Sequence, residues 1–196
     1  MPEPILPFQE AAIAETPHPQ DADLSRVPAL WPGPISAEDL GDDDIGQFGR
    51  YWLSLADAAG GVPDRSDFDP TRIPALLAYL IVLEHLGGDE FRYRLLGTGV
   101  DIFTRRSYTG LKTSEIDGHG PGNRIHTLYM ETLRQGCMIG CALPYVGRSS
   151  ICKSVRQIAV PFRTAQGDGQ VISLIEFDLI SGIETKRLPQ ARRWVL

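Results

Sequence analysis

The sequence is poor in cysteine, has no long apolar run, and begins with almost no positive charge. Residues 1–45 hold ten acidic side chains against Arg26 alone; the rest of the chain carries a small positive excess, and the whole has a formal charge of −6. Such a balance lacks the basic face that phosphate backbones require, which argues against nucleic acid as a partner. No stretch reaches the roughly 20 apolar residues of a membrane-spanning helix, so no membrane span is expected. No basic segment leads into a short apolar run, so no secretory signal is read. Cys137, Cys141 and Cys152 are an odd number in a chain of 196 residues, long enough to fold without covalent staples. A reducing cytoplasm is the expected location. No nucleophile stands beside a base in a recognisable triad, and the cysteines lack the histidines that would complete a zinc site. Neither catalytic residues nor a metal site is therefore expected.

With 42% hydrophobic residues, the chain can build one core of ordinary size and a tail. Residues 1–34 contain eight prolines among scattered acids, so residues 1–42 read as an acidic, extended or disordered arm in which Trp31 could dock locally. A helix is expected within residues 43–61. Ile45, Phe48, Trp52, Leu55 and Ala59 recur at steps of three and four, Asp42 to Asp44 suit its N-terminal end, and Gly60-Gly61 stop it. The stripe covers barely two heptads, which suits packing on its own domain or on a second copy of the chain. Ile45, Phe48, Trp52 and Leu55 are the expected contacts of a homodimer. A folded unit over residues 62–180 and a basic tail over 181–196 complete the organisation.

Within that unit, Phe91, Tyr93 and Leu95 share one side of an extended segment while Arg92 and Arg94 take the other, the period of a half-buried strand. Gly97 and Gly99 give backbone freedom for a sharp turn, and Thr98 is placed to cap a short helix over residues 99–106. Upstream, Val62–Pro70 is a loop closing on a capping Asp69 and a first-turn Pro70, followed by a short helix to about Leu77. Tyr79–Leu86 then forms a strand joined to the next by Gly87-Gly88-Asp89. Downstream, Ser107–His119 is turn-rich, and a longer helix over Pro121–Gln135 buries Ile125, Leu128, Tyr129, Thr132 and Leu133. Strands follow at about 138–147, 153–164 and 170–179, the last two linked across Ala165–Gly169. Strands enclosing a helical insert define an α+β class: a five-stranded, mostly antiparallel sheet preceded by an amphipathic helix.

This order resembles that of the PAS domain. Phe91–Leu96, the turn to Val100–Arg105 and Ser107-Tyr108-Thr109-Gly110 look like the strand–helix–glycine core of PAS sensors. Val155–Arg163, Gly167-Asp168-Gly169 and Val171–Asp178 look like their closing hairpin. More narrowly, Val62–Pro70 and Phe91–Thr98 are similar to paired motifs of a bacterial subfamily of short PAS proteins with little beyond the one domain. The resemblance spans about residues 43–180 and implies a sensory or interaction role. A small ligand would then lie between sheet and helices, with Tyr93, Leu95, Thr98, Phe103, Tyr129 and Ile175 as candidate lining residues.

Individual groups invite more specific chemistry. His126 falls within the apolar arc of the longer helix, and haem-binding PAS sensors place an axial histidine on this helix. A core-edge histidine with a local hydrogen-bond partner is the plainer explanation. The cysteine motif of light-sensing flavin domains is missing, so haem and flavin are both unindicated and the cofactor is left unknown. Gly97-Thr98-Gly99 lacks the third glycine and the βαβ unit of a dinucleotide fingerprint. Gly118-His119-Gly120-Pro121-Gly122 leads into a helix and reads as a connecting loop rather than an anion site. Cys137 and Cys141 face one side of a strand as small hydrophobes. Arg92 and Arg94 would meet a carboxylate ligand or the N-terminal acids.

The expectation is a non-enzymatic PAS-type signalling protein that binds a small molecule or a partner protein, forms a homodimer, and passes its output through protein contact. A ligand-free adaptor is the first alternative. A small NTF2-like α+β enzyme is the second, and it would require a carboxylate and a histidine converging in a cavity.

Overall fold

The computed structural model describes residues 33–104, 106–145, 152–165, 167 and 169–179, without the side chains of Leu143, Pro144 and Lys153. The readings of the basic tail and of most of the acidic arm lie outside the described residues.

Helix α1 spans Asp44–Ala59. The Asp43 carboxylate caps it by accepting the Gly46 N–H at 2.9 Å, and Gly60 closes it in the left-handed conformation at φ 66°. Short 3-10 turns at Arg65–Asp67, Pro70–Arg72 and Pro74–Tyr79 carry the chain to the sheet, the second capped by Asp69 and opened by Pro70 as its sequence implies. Strands β2 (Leu80–His85) and β3 (Phe91–Leu96) form a hairpin. Helix α2 (Thr98–Asp101), a turn at Thr113–Glu115 and helix α3 (Arg124–Gln135) make up the insert, and β4 (Ile139–Pro144), β5 (Cys152–Arg163) and β6 (Gly169–Leu179) close the fold.

The fold is α+β with an antiparallel sheet, as expected, but the sheet has six strands rather than five. Its order is β1-β4-β5-β6-β2-β3, and the extra member β1 is the two-residue strand Gly33–Pro34 at the edge of β4. Two sequence expectations about the helices also change. α3 begins at Arg124 because Gly122, at φ 87°, belongs to the preceding turn. α2 ends at Asp101, and its capping position is filled by Gly97, not Thr98.

Every inner strand alternates between two cores. Val155 and Ala159 of β5, Val171 of β6 and Leu83 of β2 face an inner core under α3 and the insert. Ile158, Val160 and Phe162 of β5, Ile172 and Leu174 of β6 and Leu80 of β2 face an outer core under α1 and the 65–79 turns. This second face corrects the expected dimer contacts. Phe48 is 1% exposed and Trp52 5%, and the Trp52 indole donates to the Pro161 carbonyl at 3.0 Å. Ile45 and Leu55 pack partly buried against the same cluster. A sheet apolar on both faces needs a cover within its own chain, and α1 is that cover.

A second correction comes from the β2–β3 register. Val82 pairs with Leu95 but Leu83 pairs with Tyr93, so Arg94 is an extra, bulged residue. A bulge reverses the side-chain alternation beyond it. Phe91 and Tyr93 point into the inner core, whereas Leu95 turns out on the opposite face and is 45% exposed. Arg92 and Arg94 both lie 3.8 Å from the Glu84 carboxylate on β2, so an in-sheet acid takes the place expected of a ligand or the N-terminal acids.

Candidate functional site

Among the described residues five polar side chains are buried, Thr113, His126, Thr132, Gln157 and Ser173, and the last two lie within the sheet. Gln157 on β5 and Ser173 on β6 stand at positions whose alternation points them inward, and both are buried. The Gln157 amide nitrogen donates to the Tyr129 hydroxyl at 3.1 Å and to Ser173 Oγ at 2.8 Å, and Ser173 Oγ donates to the Ile158 carbonyl at 2.7 Å. The Tyr129 and Tyr93 rings meet edge to face at a centroid distance of 6.5 Å. Tyr93 Oη then lies 2.6 Å from His119 Nδ1.

An amide nitrogen can only donate, so the Tyr129 oxygen accepts from Gln157. The sense of the Tyr93–His119 bond follows the tautomer of the neutral imidazole. Burial holds the His119 imidazole down at about pKa 4, which keeps it neutral, and burial pushes Tyr129 up to about 12 and Tyr93 well above its ordinary value. The result is a run of polar side chains from the middle of the sheet to the partly buried His119.

His119 reaches this place on the turn Gly118–Gly122, between the rings of Tyr93 and Tyr108 at centroid distances of 5.7 and 5.2 Å. The insert that carries it is fastened to β3. Tyr93 N donates to the Leu111 carbonyl at 2.9 Å, and Gly110 N donates to the Tyr93 carbonyl at 2.7 Å. Glu90 accepts from Thr113 Oγ1 and Ser114 Oγ at 2.6 Å each and from Ser114 N at 3.2 Å. Partial burial opposes ionisation of this carboxyl, but the hydrogen bonds from Ser114 and Thr113 outweigh it and hold the group down at about pKa 2.

Of the six lining residues expected from sequence, Tyr93, Phe103, Tyr129 and Ile175 meet in the inner cluster. Leu95 is turned out by the bulge, and Thr98 is exposed on the first turn of α2. Gln157, Ser173, Tyr108 and His119 were missed as site residues. Gln157 and Ser173 carry a legible signal, a polar residue at an inward position of an apolar alternation, whereas nothing in the 107–123 loop sequence shows that His119 folds back.

His126 is 5% exposed, with Nε2 2.7 Å from the Asp89 carbonyl and its ring edge-on to Phe91. A carbonyl only accepts, so Nε2 carries the proton in this bond, the local partner of the plainer explanation. The polar run holds a histidine, and no carboxylate stands among its members. Burial raises the Cys141 thiol to about 12 and Cys152 to about 11, so neither is a reactive thiolate. Among the described residues no group of three or more His, Cys, Asp or Glu side chains could hold a metal ion, and no helix is long and apolar enough to cross a membrane.

An open groove of about 530 Å³ lies elsewhere, between α3 and the β5–β6 hairpin, lined by Val62, Met130, Leu133 and Phe162 among others. Its polar rim is already engaged: His85 with the Gly88 carbonyl, Arg134 with Glu131, and Arg163 with Asp64.

A sheet with a helix cover on one face and a short-helix insert plus α3 on the other is an α+β arrangement consistent with a PAS-like fold. Residues 44–114, from α1 to the Thr113–Glu115 turn, match the family model described as PAS domain. No curated protein and no solved structure matches it. The family implies a sensory or regulatory role in general, and PAS domains are typically sensory rather than enzymatic modules.

Proposed function

We propose that this protein is a PAS-type sensor whose inner core receives a small ligand bearing a hydrogen-bonding group, and which passes its output through contact with a partner protein. The observation that supports this reading is the run of polar side chains His119, Tyr93, Tyr129, Gln157 and Ser173 through the inner core. Buried polar groups are costly unless satisfied, and a run ending at a partly buried ring offers an entering ligand hydrogen-bonding partners. The ligand would enter between Tyr108 and His119, on the glycine-flanked turn, and displace His119 from Tyr93.

Native mass spectrometry of freshly purified full chain, beside its denatured mass and its absorption spectrum, tests the idea. A non-covalent small-molecule adduct that weakens in Tyr93→Phe is expected; a clean mass from several preparations would sink the ligand reading. One observation favours a second reading, that of a ligand-free adaptor. Leu83, Phe91, Leu128 and Ile139 are fully buried, so side chains fill much of the space a ligand would take. On that reading Tyr93→Phe changes stability alone.

A further inference from the structure

The loop from Val62 to Asp69 prepares a site outside the inner core. Arg163 ends β5, its N–H donates to the Pro63 carbonyl at 2.9 Å, and a parallel bridge pairs it with Asp64. The Asp64 carboxylate accepts from Arg163 Nε at 3.1 Å. Backbone and side chain are both held, and the guanidinium stands at the open groove between α3 and the β5–β6 hairpin.

Helical spacing builds the facing wall. Met130, Leu133 and Arg134 stand at i, i+3 and i+4 of α3, so one face offers two half-buried apolar side chains beside a second guanidinium. Leu133 lies on Gly169, where an added Cβ would come within 2.7 Å of Leu133 Cδ2, so only glycine lets helix and hairpin approach this closely. Val62 and Phe162 complete the apolar lining. A space of about 530 Å³ with apolar walls and few polar groups has the size and character of a small-molecule site.

The charges select the occupant. Arg134, Arg163 and Glu131 are the charged side chains that line the groove. Glu131 already accepts from Arg134 through Nε and Nη2 and from Gln135, which neutralises one cation. Arg163 is fixed by Asp64 without being used up. A guanidinium carries five N–H groups, and among the described residues Arg163 donates from its side chain only through Nε. Its acid partner stands outside the groove lining, and the pair is more than half exposed on both sides, so Asp64 screens it weakly. A carboxylate meets these remaining donors, whereas an ammonium would meet two arginines.

We propose that this groove is a second ligand site, separate from the inner core, for a small apolar carboxylate. The apolar chain lies against Val62, Met130, Leu133 and Phe162, and the carboxylate accepts from Arg163.

Methionine methyl NMR on the full chain tests this, because Met1, Met130 and Met138 are its only methionines. Met138 is buried under α1 and serves as the internal control. Octanoate should move the Met130 signal saturably and leave Met138 in place. Octylamine, with the same chain and the opposite charge, should bind about tenfold more weakly or worse. Arg163→Gln should weaken octanoate about fivefold while leaving octanol unchanged. Val62→Phe, which fills the groove, should abolish the shift, and Tyr93→Phe should preserve it, so this site and an inner-core ligand stand or fall separately. A Met130 signal unmoved by about 10 mM octanoate, or a Met138 signal that moves instead, would overturn the site. Equal binding of octanoate and octylamine would overturn the carboxylate.

Discussion

His119 is the residue on which pH should act. Its folded pKa of about 4 lies below the ordinary 6.5, so the unfolded chain takes up a proton over a range where the folded protein does not. Stability rises with pH wherever the unfolded state binds more protons, so this contribution is complete above about pH 6.5 and is lost as pH falls toward 4. Urea unfolding should lose about 1–2 kcal/mol between pH 6.5 and 5, at 1.36 kcal/mol per unit. His119→Phe should remove that slope and lower stability at neutral pH by about 1–3 kcal/mol, through the orphaned Tyr93 hydroxyl. A slope that survives the substitution would assign it to another group. Glycines also divide at this scale. Gly97 has an ordinary φ of −64°, so it is there for space rather than turn freedom: an added Cβ would lie 2.3 Å from the Ala78 carbonyl oxygen. At Gly140 the obstacle is the flexible end of Ile35. Gly97→Ala should cost about 1–3 kcal/mol or more, and Gly140→Ala clearly less, in the same denaturation assay.

Among the elements, the insert from α2 to α3 depends on few anchors, and Glu90 is the chief one. Its carboxyl titrates near 2 in the folded protein against 4.5 ordinarily, so the clamp on Thr113 and Ser114 is intact above about pH 4.5 and lost as pH falls through 2. Glu90→Gln should therefore raise amide exchange in residues 107–119 at neutral pH while leaving β5 and β6 protected; uniform exchange would mean that the insert has no separate opening. The elements themselves were largely legible in the sequence. The stripe of Ile45, Phe48, Trp52 and Leu55 marks α1, and Phe91–Leu96 marks β3 to the residue. Periodicity failed where geometry departs from period. Leu95 reads as inward because strict alternation cannot register the Arg94 bulge, which exists only in relation to β2. The stripe of α1 shows that a face is apolar, but not whether a second copy or the chain's own sheet covers it. Tyr93 and Tyr129 are legible as core, whereas the loop fold that brings His119 to Tyr93 leaves no periodic trace.

For the molecule as a whole, the consequence is that two cores share one sheet. Along β5 alone, Val155 and Ala159 serve the inner core while Ile158, Val160 and Phe162 serve the outer. The strands cannot come apart on one side without exposing the other, so unfolding should be a single transition. Trp52 reports the outer core and the buried tyrosines Tyr93 and Tyr129 report the inner, so the claim can be measured. In a Trp31→Phe, Trp194→Phe, Tyr51→Phe, Tyr79→Phe background, which removes the tyrosines packed on the outer core, Trp52 fluorescence and tyrosine near-ultraviolet dichroism should give the same denaturant midpoint. Phe48→Ala, which empties the centre of the α1 contact, should cost about 3–5 kcal/mol and move both midpoints together. A fluorescence midpoint that falls alone would make α1 a detachable cover. Its apolar stripe would then be free, on release, to pair with a second copy, and the dimer role expected of Phe48 and Trp52 would return as a property of the opened state.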